Sequence, residues 1–142
     1  MDNAFPIHDL WIRHIVLDKD GAAGVWHVLD FDDHILLRLG ALQVVHLPPG
    51  AETSVRAYET SDEVWALVGG RVLCVWKDLR ADSPTHQNVH VEAVDHPTAM
   101  LAPFGVAFGV RAVEGEALLL RLMTSSEQEL GAPQTIPWPD SD

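Results

Sequence analysis

The apolar residues of this chain arrive in short runs broken by Gly, Asp and Pro, and no stretch sustains the 3.6-residue stripe of a core helix. That rhythm constrains the fold more than any other feature. The runs are IRHIVL (12–17), GVWHVLD (24–30), HILLRL (34–39), ALQVVHL (41–47), TSVRAY (53–58), EVWALV (63–68) and RVLCVWK (71–77). After the loop DLRADSPTHQ (78–87) follow NVHVEAV (88–94), TAMLA (98–102), VAFGVRAV (106–113) and EALLLRLM (116–123). GlyGly at 69–70 predicts a tight hairpin turn, and Glu114 with Gly115 predicts another short turn. Such spacing predicts an antiparallel sandwich or barrel. Strands 71–77 and 116–123 are apolar on both faces, so one face of each should pack on a second sheet or another subunit.

The ending GAPQTIPWPDSD carries three prolines and predicts a tail rather than a sheet strand, with Trp138 available as an anchor. No internal boundary or repeat interrupts the rest. The expected organisation is one domain over 1–130 and a Pro-rich tail over 131–142, within the 142 residues that suit a single core.

The formal net charge of −12 argues against nucleic acid and anionic membrane surfaces, which need a basic footprint. No apolar run is long enough for a membrane span. The start, MDNAFPIHDLW, lacks the basic end and apolar stretch of a secretory signal. With Cys74 as the single cysteine, no intramolecular disulfide can form. A cytoplasmic protein is expected.

The stretch 48–70, PPGAETSVRAYETSDEVWALVGG, sets Gly50, Arg56, Tyr58, Glu63 and Gly70 at fixed intervals. Further on stand Pro103, Gly105 and Phe108. These intervals resemble the two motifs of the cupin family, with Arg56, Tyr58 and Phe108 where its histidines would be. Residues two apart on a strand face one side, so 56 and 58 are expected to point into the barrel beside Glu63. A divalent metal usually takes three or more N, O or S ligands. Glu63 and a phenol beside a guanidinium do not supply them, so no metal and no cofactor are expected there. The eight histidines show no tight ligand spacing.

The segments VWKDLRADSPTHQNVHVEAV, MLAPFGVAFGVRAV and SVRAYE look like those of dTDP-4-dehydrorhamnose 3,5-epimerases and related nucleotide-sugar cupins. The resemblance spans residues 10 to 125 and is strongest from 53 to 124. It implies an all-β, double-stranded β-helix (jelly-roll, cupin) barrel, a homodimer, and metal-free proton abstraction by a histidine with a tyrosine as acid. Here Glu59 stands at the histidine position, or that position falls in a gap of the shorter 59–63 stretch, and Ser125 or Ser126 stands where the tyrosine is expected.

Glu63 reads either as a base with a raised pKa or as a frame residue paired with Arg56, and the pair is favoured because it would depress the carboxyl's pKa. Glu59 reads as a replacement base or, with more weight, as a solvated loop residue. Tyr58 is a proton donor or a core cap, and Arg56 an anion clamp or a structural partner of Glu63 or Asp62. Trp65 offers a stacking face or plain core, and Phe108 fills volume. Three functions follow. The first is a metal-free cupin binding a small organic ligand, a carbohydrate or another small molecule, near Arg56, Tyr58, Glu63, Trp65 and Phe108, without the standard epimerase reaction. The second is an active epimerase or isomerase with Glu59 or Glu63 as base and Tyr58 as acid. The third is a plugged barrel used for assembly.

Overall fold

The computed structural model describes residues 6–30, 33–36 and 38–139. Two antiparallel five-stranded sheets face each other, and a two-stranded ribbon projects from them. The strands are β1 (Trp11–His14), β2 (Val16–Asp20), β3 (Ala23–His27), β4 (Ala41–Leu47), β5 (Val55–Ala57) and β6 (Glu63–Gly69). They continue with β7 (Val72–Asp78), β8 (Val89–Val94), β9 (Thr98–Ala102), β10 (Val106–Ala112), β11 (Ala117–Met123) and β12 (Gln134–Ile136). One sheet runs β1-β9-β6-β11-β4 and the other β12-β5-β10-β7-β8. This is an antiparallel sandwich of the kind the strand rhythm predicts, arranged as the jelly roll that the family resemblance implies.

Alternation decides what lies between the sheets. Trp65 and Leu67 of β6, Ala117 and Leu119 of β11, and Met100 and Ala102 of β9 point inward from one sheet. Val72, Cys74 and Trp76 of β7 and Val106, Phe108 and Val110 of β10 meet them from the other. The opposite parity is covered too. Val55, Ala57, Val75 and Ala107 pack beneath Ile136 and Trp138, while Val64, Ala66 and Ala99 pack beneath Val28, Ile35 and Leu36. The doubly apolar runs therefore acquire a second covering from this chain's own segments, although Leu118 stays 40% exposed and Val44 67%.

Four expectations are corrected. The run 34–39 forms no strand in its described part; Ile35 and Leu36 instead lie over the outer face of β6 and β9. The run 12–17 divides at Ile15, whose N–H donates to the Pro97 carbonyl (3.0 Å) and whose side chain is buried. The turn at 69–70 is tight but makes no hairpin, because β6 and β7 lie in opposite sheets. Gly70 has φ +88°, and a Cβ there would come within 2.3 Å of the Glu116 carbonyl oxygen. Finally, 131–142 does contribute a strand: β12 pairs with β5, and Trp138 Nε1 donates to the Thr53 carbonyl at 3.0 Å. Prolines 133, 137 and 139 flank that three-residue edge strand rather than interrupting it, which is where an edge tolerates them.

The DLR–SPT stretch builds one loop around a carboxylate. Asp78 is fully buried and accepts hydrogen bonds from the Arg80 N–H (3.0 Å), Arg80 Nε (2.9 Å), Thr85 Oγ1 (2.7 Å) and Ser83 Oγ. These donors hold its pKa far below the usual carboxylate range despite burial, which acts the other way. Arg80 in turn lies against Gly105, where a Cβ would meet its Cγ at 2.4 Å. The Pro-x-Gly sequence at 103–105 is thus required by packing: Gly105 has φ +79° and no room for a side chain.

Candidate functional site in the barrel interior

One cross-section of the barrel carries most of the candidate residues. In the first sheet, Gln43, Arg121, Trp65 and Met100 lie side by side on β4, β11, β6 and β9. In the second, Arg56, Phe108, Trp76 and His90 lie side by side on β5, β10, β7 and β8. Directly opposed residues share a face. Phe108 belongs to the interior cluster, so Arg56 faces inward as well, while Val55 and Ala57 face the outer covering.

The middle of this layer is aromatic. Trp65 and Phe108 have ring centroids 5.3 Å apart, Phe108 and Trp76 5.1 Å, and Trp76 and His90 5.4 Å, all tilted. Trp76 Nε1 donates to the Leu101 carbonyl at 3.1 Å. Phe108 is 3% exposed and Trp76 fully buried, so at this level side chains occupy the barrel centre.

The end of the layer at β4, β11 and β5 is polar. Glu63 sits two residues before Trp65 on β6, so Arg121, opposite Trp65, reaches it diagonally. Both Nε and Nη2 of Arg121 contact Glu63 Oε2, and Arg121 Nη1 donates to Gln43 Oε1 at 3.0 Å. The guanidinium lies 5.5 Å from the Tyr58 ring centroid and 5.4 Å from that of Trp65, within cation–π range of both. The Trp65 indole N–H is buried near Glu63 and helps hold its charge, yet falls short of a formed hydrogen bond.

The expected pairing of Glu63 with Arg56 is therefore corrected. Its partner is Arg121, and Arg56 acts only at longer range. The expected depression of its pKa is corrected too. Burial raises the Glu63 carboxyl above its usual value, and the attraction of Arg121 offsets this incompletely. Arg121 carried a sequence signal: it interrupts EALLLRLM at the same parity as Ala117, Leu119 and Met123, all buried. A charged residue at an inward strand position needs a buried counter-charge.

Arg56 is different. Among the described residues every other arginine has a carboxylate partner: Arg13 with Asp33, Arg38 with Glu129, Arg71 with Glu114, Arg80 with Asp78, Arg111 with Glu52 and Arg121 with Glu63. The half-buried arginine facing the barrel has no carboxylate partner among the described residues. Tyr58 is 7% exposed, and its carbonyl accepts from Gly105 N–H at 2.8 Å. Glu59 lies in a bend and is exposed, outside this constellation. Ser125 is buried, its N–H bonded to Ser61 Oγ at 3.3 Å, while Ser126 pairs with Glu129.

This arrangement can hold an anionic or polyhydroxyl group against Arg56 and Tyr58. Among the described residues, no group of three or more His, Cys, Asp or Glu side chains is placed to share an ion.

No family model matches the sequence. The chain is similar to the spore coat polysaccharide biosynthesis protein SpsL of Bacillus subtilis (strain 168), 29% identical over 113 residues that cover 77% of this chain and 75% of that protein. In structure it resembles the dTDP sugar isomerase from Desulfovibrio desulfuricans G20, with a TM-score of 0.84 and 17% identity over 96% of this chain and 88% of the other. It also resembles the dTDP-4-dehydrorhamnose 3,5-epimerase from Elizabethkingia anophelis NUHP1, with a TM-score of 0.80 and 15% identity over 96% and 79%. A third is NovW, a 4-keto-6-deoxy sugar epimerase from Streptomyces spheroides, with a TM-score of 0.78 and 20% identity over 95% and 77%. The fold is the cupin jelly roll of these proteins.

Proposed function

We propose that the chain binds a small carbohydrate-like organic ligand at the polar end of its barrel, against Arg56, Tyr58 and the Glu63–Arg121 pair, without metal and without the standard epimerase reaction. The inward-facing Arg56, without a carboxylate partner among the described residues, carries this reading. A half-buried guanidinium suits a carboxylate, a phosphate or a run of hydroxyls. Two observations weigh against epimerase chemistry: Glu59 is exposed, and Glu63 is held by two nitrogens of Arg121. The side chains at the histidine positions of a metal-binding cupin are Arg56, Tyr58 and Phe108, a poor donor set for a divalent ion.

A second reading is an active 4-keto-deoxysugar epimerase that uses Glu63. It is favoured by one observation, the upward shift of the Glu63 carboxyl, which brings a carboxylate base closer to neutral working pH. In either reading the protein works in the cytoplasm as a homodimer. The dimer is supported by the ribbon β2–β3, exposed along both strands with Val16 66% and Trp26 42% accessible, since such a ribbon is only marginally stable alone.

Incubation with a dTDP-4-keto-6-deoxysugar in D2O, followed by NMR at C3 and C5, separates the two readings. The binding reading expects no deuterium entry, together with a thermal shift for a sugar, nucleotide sugar or small acid that Arg56→Met abolishes. Deuterium entry lost in Glu63→Gln would replace it with the epimerase. A screen with no hit that depends on Arg56 would sink ligand binding here.

A further inference from the structure

Apart from the barrel interior, the fold brings two histidines together from distant parts of the chain. His14 ends β1, and His96 lies in the turn between β8 and β9. Their rings have centroids 4.1 Å apart, and Nε2 of His96 contacts Nδ1 of His14. The other described histidines with ion-pair partners, His8, His27, His46 and His90, each face a carboxylate instead.

The surroundings hold both rings. His14 lies opposite Thr98 in the β1–β9 register, and the next residue, Ile15, is bonded to the Pro97 carbonyl. Asp95 Oδ1 accepts from Nδ1 of His96 at 2.7 Å, so that nitrogen carries its proton and Nε2 presents a lone pair. Thr98 Oγ1 donates to the His96 carbonyl at 2.9 Å and so can only accept from Nδ1 of His14, 3.4 Å away. The single mobile proton of the pair is therefore on His14 Nδ1. A carboxylate behind an imidazole whose other nitrogen faces outward is the arrangement that orients metal-ligating histidines.

We propose that His14 Nδ1 and His96 Nε2 form a binding site for a borderline divalent cation such as zinc(II), nickel(II) or copper(II), with Asp95 positioning His96. Two Zn–N bonds of about 2.0–2.1 Å at a tetrahedral angle need nitrogens roughly 3.3 Å apart. Both rings are solvent-accessible, His96 at 50%, so a small ring rotation opens that space. On binding, the His14 proton moves from Nδ1 to Nε2 by exchange with solvent, a tautomer shift with no net proton release, and both imidazoles coordinate as neutral ligands. Water or an external donor completes the shell. The site is independent of the reading of the barrel interior, since His14 and His96 lie outside that layer.

The test is titration of the full chain with zinc(II) by calorimetry in two buffers of different ionisation enthalpy. One ion per chain is expected, and at a pH where both imidazoles are neutral the enthalpy should be the same in the two buffers, because the tautomer shift releases no net proton. His14→Ala and His96→Ala should each weaken binding at least about tenfold, Asp95→Asn about tenfold, and His46→Ala not at all. Long-range 1H–15N NMR of the unmutated protein should place the zinc-induced shifts on Nδ1 of His14 and Nε2 of His96, a readout that does not depend on any variant folding. Stoichiometric binding that survives both alanine substitutions, zinc-induced shifts confined to other histidines, or no binding at millimolar zinc would each overturn the proposal.

Discussion

Asp78 and Glu63 are both buried carboxylates bonded to an arginine, yet their titration is pushed in opposite directions. Asp78 gathers donors from its own sequence neighbourhood: a backbone N–H, the Arg80 guanidinium and two hydroxyls, all within seven residues. Glu63 has one bonded guanidinium, delivered from a strand 58 residues away, with Arg56 at longer range and the Trp65 indole nearby. Burial penalises both charges, and the number of donors decides which effect wins. The difference separates a local structural lock from a site that depends on the whole barrel.

Arg121→Met tests the barrel side of this contrast most severely. It leaves Glu63 buried without its counter-charge and should cost about 3–5 kcal/mol in urea denaturation. Adding Glu63→Leu should recover most of that loss, because an apolar pair of similar volume escapes the desolvation penalty. A double variant as unstable as the single one would break the comparison, since the pair would then be supplying more than charge compensation.

On the loop side, Asp78→Asn keeps the shape but loses the charge-assisted character of several bonds. The expected loss is about 2–3 kcal/mol by the same measurement. Barrel-end ligand binding should persist, because the loop network holds no group of the Arg56 layer.

Acid titration sharpens the contrast further. The folded-state pKa of Asp78 is depressed, so its stabilisation is fully present above the unfolded value of about 3.9 and is lost as pH falls below it. Glu63 is raised, so its penalty is absent at low pH and grows as pH climbs above the unfolded value of about 4.3. The stability gap between the unmutated protein and Asp78→Asn should therefore narrow by 1 kcal/mol or more, in order of magnitude, as pH falls from about 5 to 2.5. A constant gap across that range would show that Asp78 holds its loop by shape alone.

Glu59→Gln provides the smallest effect and the baseline. An exposed carboxylate outside both networks should change stability by less than about 0.5 kcal/mol and leave ligand binding intact. Loss of binding in this variant would draw the 59–60 bend into the site.

Much of the fold was legible because strand parity and turn glycines are local signals. The inward faces of β6, β7 and β10 follow directly from alternation, and Gly70 and Gly105 mark turns where a positive φ and close neighbours together leave no room for a side chain. The strand expected at 34–39 was misread because an apolar run announces burial without saying whether it pairs or merely covers. β12 was missed because three prolines outweighed a three-residue segment that an exposed edge could accept.

At the site, the sequence alone placed Arg56, Tyr58, Glu63, Trp65 and Phe108 by spacing, and the structure sets Arg56, Trp65 and Phe108 in one inward-facing layer with Glu63 and Tyr58 beside them. An interval of two along a strand dictates that 56 and 58 share a side, whereas the meeting of Glu63 and Phe108 with them was implied by the family resemblance. Only the tertiary structure chose Arg121 as the partner of Glu63, left Arg56 without one among the described residues, and set His14 against His96 across 82 residues. Those outcomes depend on which strands become neighbours and in what register. Register is settled by packing of the whole barrel, so no single segment contains the answer.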